Sequence, residues 1–320
     1  MMTPQDLRSH LRGIMLTPVV PTRADGSVNV AGIRAMTRFA IEAGVVSGTG
    51  VIVPMSTSGE FMSFSDAEFA AVLEVTIDAA ADEVPVLAGT NHMDLAGIIE
   101  RSKLAQSLGA AGVMFGPPFY FTPTREEILD HYRRVSEAID IGIVVYNNVF
   151  ATQVDLQPDV LTDLAELPNV VGLKEARSWD PSSDAKIDAV GDRIAIFSGG
   201  DVVGEPAARL RGAPGFVSPL STIAPELSVR VESLLRAGDF AAAARYTHSL
   251  RGLYAAYAHH GGGGYVAALK AGLALRGIDA GDPRPPIRPL PAADVAKLAD
   301  EMARHGVLTQ MRPAGERVAS

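Results

Sequence analysis

Short apolar runs alternate with longer helix-patterned segments along most of the chain. The runs are rich in Val, Ile and Leu: Gly13–Val20, Val51–Pro54, Val84–Ala88, Gly112–Phe115, Ile141–Tyr146, Val170–Lys174, Ile194–Ser198 and Gly215–Ser218. Most are nearly continuous apolar stretches, as expected of parallel strands covered on both faces. Between them, Ser65-Asp66-Ala67-Glu68 opens a helical pattern reaching Ala81, and Thr124-Arg125-Glu126-Glu127 opens another reaching Ile139. Each pairs an N-cap hydroxyl with a carboxylate three positions on, the capping-box spacing. Gly44 and Gly109 stand where helices should stop and the chain turn into the next strand.

Eight such repeats over roughly 230 residues match the usual size of a closed α/β (β/α)₈ TIM barrel. A doubly wound open sheet would carry a glycine fingerprint after its first strand. Here Pro21-Thr22-Arg23-Ala24-Asp25-Gly26 follows instead. After the eighth run the rhythm changes. Ala224 to about His260 and Tyr265 to Arg276 are Ala- and Leu-rich with helical spacing and no strand, and Gly261–Gly264 reads as a flexible break between them. Pro283–Pro289 is a proline-rich connector and Ala292–His305 a last helix. The expected organisation is a catalytic barrel with a short N-terminal extension over residues 1–223, then a small C-terminal helical bundle over 224–320.

Composition narrows the function. With 47% hydrophobic and 20% charged residues, the 320-residue chain is globular rather than disordered. A net charge of -9 argues against a nucleic-acid partner, which needs a surplus of Lys and Arg on one face. The absence of cysteine rules out disulfides, thiolate catalysis and cysteine-ligated metal centres, and fits a reducing cytosol. The N-terminus, MMTPQDLRSHLRG, lacks the apolar core of a secretory signal. No apolar run approaches the ~18 residues of a membrane span. A soluble, cytoplasmic protein is expected. His259-His260 has no carboxylate at ligand spacing, so no metal is expected either.

In a TIM barrel, chemistry sits at the C-terminal ends of the strands. Read in order, those ends carry Ser56-Thr57-Ser58-Gly59-Glu60, Thr90-Asn91-His92, Pro117-Pro118-Phe119-Tyr120, Tyr146-Asn147-Asn148, Lys174-Glu175 and Ser198-Gly199-Gly200-Asp201. Lys174 is the most informative. The chain has five lysines against 23 arginines, and this one closes an apolar strand. Alternation along a strand places it on the same face as Gly172 and Val170, with Gly172 leaving space beneath the long side chain. An amine nucleophile needs its pKa lowered from about 10.4 to roughly 7–8, and burial disfavours the ammonium form in that direction. The alternative is a lysine that snorkels to the rim or pairs with Glu175. Tyr146 closes the adjacent strand, within reach to relay protons to and from a carbinolamine; an ordinary strand-end tyrosine is the other reading. Ser56-Thr57-Ser58-Gly59 offers hydroxyls and backbone N–H groups that suit a carboxylate, although such turns also occur without a ligand.

The ordered set of motifs resembles the dihydrodipicolinate synthase/N-acetylneuraminate lyase family of class I, Schiff-base aldolases. The matches run through Thr17-Pro18, Asp25-Gly26, Ser56-Thr57-Ser58-Gly59-Glu60, Pro85-Val86-Leu87-Ala88-Gly89, Pro117-Pro118-Phe119-Tyr120, Tyr146-Asn147, Gly172-Leu173-Lys174-Glu175-Ala176 and Ser198-Gly199. The resemblance implies a Schiff base between Lys174 and pyruvate, or the pyruvate moiety of a larger 2-oxo acid, with no metal or organic cofactor. It implies Tyr146 as acid/base, Thr57 as a relay hydroxyl, and Tyr120 as a tyrosine that reaches into a neighbouring subunit's site. Ser56, Ser58, Gly59, Gly199 and Val217 would bind substrate, and Ala151 would lie on the second-substrate side. A homotetramer built from tight dimers is expected by the same likeness. The family's synthases carry an arginine where Ala151 stands, so loss of that bidentate clamp should weaken binding of aspartate semialdehyde. Phe150 and Phe121 hint at a bulkier, more apolar partner. The activity expected is therefore aldol cleavage, condensation or dehydration of a 2-oxo acid. Its rivals are a true dihydrodipicolinate (4-hydroxy-tetrahydrodipicolinate) synthase and a non-catalytic 2-oxo-acid-binding or sensor barrel. A phosphate-binding barrel using Ser198-Gly199-Gly200 is a further rival, but the eighth strand ends in Ser218-Pro219-Leu220 without a second glycine turn.

Overall fold

The fold is that of a computed structural model describing residues 2–177, 180–258 and 263–308. Eight parallel strands appear where the apolar runs stand: β1 (Gly13–Leu16), β2 (Gly50–Ile52), β3 (Leu87–Gly89), β4 (Gly112–Phe115), β5 (Gly142–Asn147), β6 (Val170–Glu175), β7 (Ala195–Ser198) and β8 (Gly215–Val217). Their order, β2-β1-β8-β7-β6-β5-β4-β3, is completed by a parallel bridge between Ile52 and Val86, so the sheet closes on itself. This is the (β/α)₈ barrel expected from the sequence.

A short helix α1 (Pro4–His10) precedes the barrel. The connecting helices are α2 (Val30–Glu42), α3 (Asp66–Ala80), α4 (Leu95–Ser107), α5 (Arg125–Ser136), α6 (Val149–Thr152), α7 (Pro158–Leu164), α8 (Pro181–Val190), α9 (Asp201–Leu210) and α10 (Pro225–Arg236). Beyond them lie α11 (Phe240–Ser249), α12 (Arg251–Ala258), α13 (Gly264–Leu275) and α14 (Ala292–Arg304). Both capping boxes form: Ser65 with Glu68 opens α3, and Thr124 with Glu127 opens α5. Gly44 and Gly109 take the left-handed conformation just past α2 and α4, at φ 106° and 90°. The His259-His260 pair and glycines 261 and 262 lie outside the described residues.

Successive strand residues feed two separate apolar layers. Met15, Val51, Leu87, Met114, Val144, Val171, Phe197 and Val217 fill the barrel interior, together with Leu7 and Leu11 from the N-terminal segment. Ile14, Ile52, Ala88, Val113, Ile143, Leu173, Ile196 and Phe216 face the helices. Both faces are thus buried, which is why the strands read as unbroken apolar runs rather than as alternation.

One expectation about β6 needs correction. Its register with β5 shifts between Ile143 and Val144, pairing Ile143 with Val170 but Val144 with Gly172. The extra residue rotates the strand start, so Val170 belongs to the outer layer and Val171 to the inner one. Gly172 does face the interior with Lys174, but the space it frees is filled from below. A Cβ there would stand 3.0 Å from Leu11 Cδ1 and 3.3 Å from Val144 Cγ2.

Candidate active site

The C-terminal ends of β2, β5 and β6 bring three side chains of the expected set together. Lys174 is 5% exposed, and its Nζ lies 4.2 Å from the centre of the Tyr146 ring. Burial pulls the Lys174 pKa below the usual lysine value, partly offset by the neighbouring Tyr146 phenol. The Tyr146 hydroxyl is 3.1 Å from Thr57 Oγ1 and accepts a hydrogen bond from Asn148 Nδ2 at 2.7 Å. Lys174 does not pair with Glu175. That carboxylate points the other way and is held by Lys186 Nζ at 2.5 Å and Asn147 Nδ2 at 2.8 Å.

The turn after β2 lies alongside. Its Gly59 and Glu60 amides close onto the carbonyls of Ser56 and Thr57, at 3.0 and 3.1 Å. The Thr57 and Ser58 amides have no backbone partner among the described residues. A Cβ on Gly59 would stand 3.0 Å from the Met55 nitrogen, so glycine lets the turn pack closely against that backbone. Ser58 Oγ lies 3.4 Å from both Thr17 Oγ1 and the Tyr265 hydroxyl. Ser56 is fully buried, and its Oγ has no hydrogen-bond partner among the described residues. Val217 sits in the inner layer with Tyr146. Gly199 serves packing: a Cβ there would come within 2.3 Å of the Glu175 carbonyl oxygen.

Above this cluster opens a cavity of about 470 Å³. Thr57 and Tyr146 form one side; Phe61, Met62, Phe64, Asn91, His92, Met93, Arg101, Phe119, Ala151 and Thr152 complete the wall. Ala151, in α6, is thus part of the cavity wall that also carries Thr57 and Tyr146. Phe150 and Phe121, the aromatics singled out in the sequence, do not line it; they are 74% and 80% exposed. The aromatic and thioether lining comes instead from Phe61, Met62 and Phe64 after the β2 turn, from Met93, and from Phe119 of the Pro117-Pro118-Phe119-Tyr120 strand end. Tyr120 is not brought to the cluster within this chain. It is 83% exposed, edge-to-face with Phe121, on a backbone with φ 83°.

Sequence reasoning placed Asn148 at the fifth strand end without giving it a role, and passed over Tyr265. Asn148 stands directly after the quoted Tyr146-Asn147 pair, whereas Tyr265 reaches Ser58 from α13, some 207 positions away, a contact without local signal. Burial raises the Tyr265 pKa to about 12, so its hydroxyl stays protonated.

Fold and site together define a (β/α)₈ barrel with a buried lysine, tyrosine and threonine at its C-terminal mouth. Residues 10–304 match the Dihydrodipicolinate synthetase family. The 4-hydroxy-tetrahydrodipicolinate synthase of Mycobacterium leprae is 32% identical over 303 residues, covering 95% of this chain and 98% of that protein. Its counterpart from Syntrophobacter fumaroxidans is 31% identical over 298 residues, covering 93% and 99%. Among solved structures, a monomeric dihydrodipicolinate synthase variant superposes with a TM-score of 0.87 at 26% identity, covering 95% of this chain and 99% of that one. The chloride-inhibited dihydrodipicolinate synthase of Acinetobacter baumannii, complexed with pyruvate, gives 0.85 at 29% identity, covering 93% and 99%. The chain belongs to the dihydrodipicolinate synthetase family.

Proposed function

We propose that the chain is a class I lyase in which Lys174 forms a Schiff base with pyruvate or a pyruvate-type 2-oxo acid. The observation carrying this reading is the buried Lys174 amine against Tyr146, whose hydroxyl is itself bonded to Thr57. Desolvation increases the share of neutral amine, the form that attacks a carbonyl carbon. The adduct must lose water, which requires a proton delivered to the departing hydroxyl. Tyr146 is placed to supply it and to recover it through Thr57, while the Asn148 amide stabilises the phenolate between the two transfers. The substrate carboxylate is assigned to Ser58 and the unpartnered Thr57 and Ser58 amides, a short nest of donors. The protonated imine is itself the electron sink, so the proposed chemistry needs neither metal nor organic cofactor.

Pyruvate is also what one structural relative was crystallised with. The second substrate is a separate matter. The curated relatives are named for synthesis of 4-hydroxy-tetrahydrodipicolinate, yet Ala151 offers no cation for a second carboxylate. We therefore place this chain outside that particular reaction. Efficient turnover of aspartate semialdehyde would reverse this.

Borohydride reduction in the presence of pyruvate tests the core of the proposal. One three-carbon adduct should appear on the wild type and vanish in Lys174→Ala. It should persist in Lys297→Ala, whose side chain is 71% exposed on α14. An unmodified mass in the wild type would favour a non-catalytic binding barrel.

A further inference from the structure

We infer that the cavity above Tyr146 selects an uncharged aryl aldehyde as the carbonyl partner of the Lys174-bound pyruvate, an inference that rests on the Schiff-base reading. The cavity is lined by Tyr146 and Thr57 of the reacting cluster, and its apolar wall is built from Phe61, Met62, Phe64, Met93, Phe119 and Ala151. Three rings and two thioethers offer a planar guest edge-to-face and sulfur–ring contacts, and methionine adapts its shape to substituents. A volume of about 470 Å³ lies within the range of small-molecule sites and leaves room for a substituted ring.

Charge decides against a carboxylated partner. Among the described residues Arg101 is the one arginine on the wall, and its guanidinium is already committed. Its Nε donates to Asp66 at 2.8 Å and its Nη1 to the Asn91 carbonyl at 2.9 Å, while the group lies over the Phe69 ring. Only 6% of that side chain is exposed. His92 has Asp94 Oδ2 at 3.4 Å, so its neighbourhood repels a second anion. Beyond Tyr146 the remaining polar groups are neutral: Thr57, Thr152 and Asn91, whose buried Nδ2 has no partner among the described residues. A carboxylate inserted here would lose its water without gaining a counter-ion.

The reaction that follows is balanced by the residues on the page. In cleavage, a 4-aryl-4-hydroxy-2-oxo acid is held as the protonated imine. The 4-hydroxyl proton passes to the Tyr146 phenolate, the C3–C4 bond breaks, and its electron pair enters the imine to give an enamine. The aryl aldehyde departs; C3 takes a proton, and water releases pyruvate and free Lys174. Condensation is the same sequence reversed.

The test compares benzaldehyde, succinic semialdehyde and aspartate semialdehyde as partners for pyruvate, alongside borohydride labelling of Lys174. Benzaldehyde should show the highest kcat/KM, by about tenfold or more, the scale on which hydrophobic pockets discriminate. Ala151→Arg should shift the ratio about tenfold toward the carboxylated aldehydes. Phe119→Ala should raise the KM for benzaldehyde about tenfold, and far more than the KM for pyruvate. Equal or better use of a carboxylated aldehyde by the wild type overturns the inference, as does an Ala151→Arg ratio that stays put. Labelled enzyme that ignores benzaldehyde sinks the aryl assignment alone; absence of labelling sinks the Schiff-base reading with it.

Discussion

His131, on α5, shows how one buried side chain sets a pH limit for the whole barrel. It is 6% exposed, packs against Phe115 at 5.6 Å between ring centres, and holds Nε2 3.3 Å from the Gly116 carbonyl oxygen. Burial lowers its pKa from 6.5 to about 4. The native imidazole is then neutral where the unfolded chain already takes up a proton. The unfolded state binds more protons between those values, so stability is full above about pH 6.5 and falls as pH drops toward 4. The loss is on the order of 3 kcal/mol. His131→Gln should flatten the pH dependence of the urea midpoint across that window; an unchanged slope would assign the acid sensitivity to other groups. At this scale the sequence was partly readable. Lys174 and Tyr146 stood out because a lysine and a tyrosine closed neighbouring apolar strands. Asn148 and Tyr265 did not, because each matters only through a contact that folding creates.

At the scale of elements, hydrophobic runs located all eight strands, but the way the barrel is filled came from outside them. Leu7 and Leu11 enter the interior from below. Glycines at the starts of β4 and β5 make way: a Cβ on Gly112 or Gly142 would stand 2.6 or 2.7 Å from Leu7 Cδ2. The plug and the β6 register shift explain why Gly172 was misread as room for the lysine. Neither follows from alternation along a single strand. The ends of β5 and β6 are further fixed by a buried polar cluster. Lys186 of α8 bonds Glu175 at 2.5 Å and Asp155 at 2.8 Å, and Asn147 bonds the same two carboxylates at 2.8 and 2.9 Å. Both Lys186 and Glu175 side chains are 1% exposed. Removing one member of such a pair strands the other, a penalty of roughly 3–5 kcal/mol. Lys186→Met should lower the unfolding free energy by about that much, and adding Glu175→Gln should recover part of it. A Lys186→Met loss below about 1 kcal/mol would mean that Asn147 and Arg177, whose Nε lies 3.5 Å from Glu175 Oε1, alone satisfy the carboxylate.

At the scale of the whole molecule, the region after β8 is tied to the mouth of the barrel. Lys270 of α13 is ion-paired with Glu60 at 3.2 Å and donates to Thr22 Oγ1 and the Asp282 carbonyl oxygen. Arg284 donates its backbone N–H to Glu60 at 2.8 Å, and Tyr257 of α12 donates to the buried Asp201. The turn proposed to hold the substrate carboxylate is thus braced by α13 and the connector after it. What one chain leaves uncovered is the Tyr120–Phe121 pair, with Tyr120 at a positive φ that non-glycine residues adopt at a cost. Two edge-to-face aromatics in water on such a backbone gain most if another subunit covers them. The homotetramer of tight dimers is an expectation from the sequence resemblance alone, and the monomeric dihydrodipicolinate synthase variant of the same fold means that the barrel alone does not dictate assembly. Sedimentation at micromolar concentration should give a mass several times the 33.6 kDa of one chain. Replacing Tyr120 and Phe121 with serine should shift the protein to smaller species. A wild type that sediments as one chain would separate Tyr120 from any neighbouring site and leave its exposed aromatic pair without a partner surface.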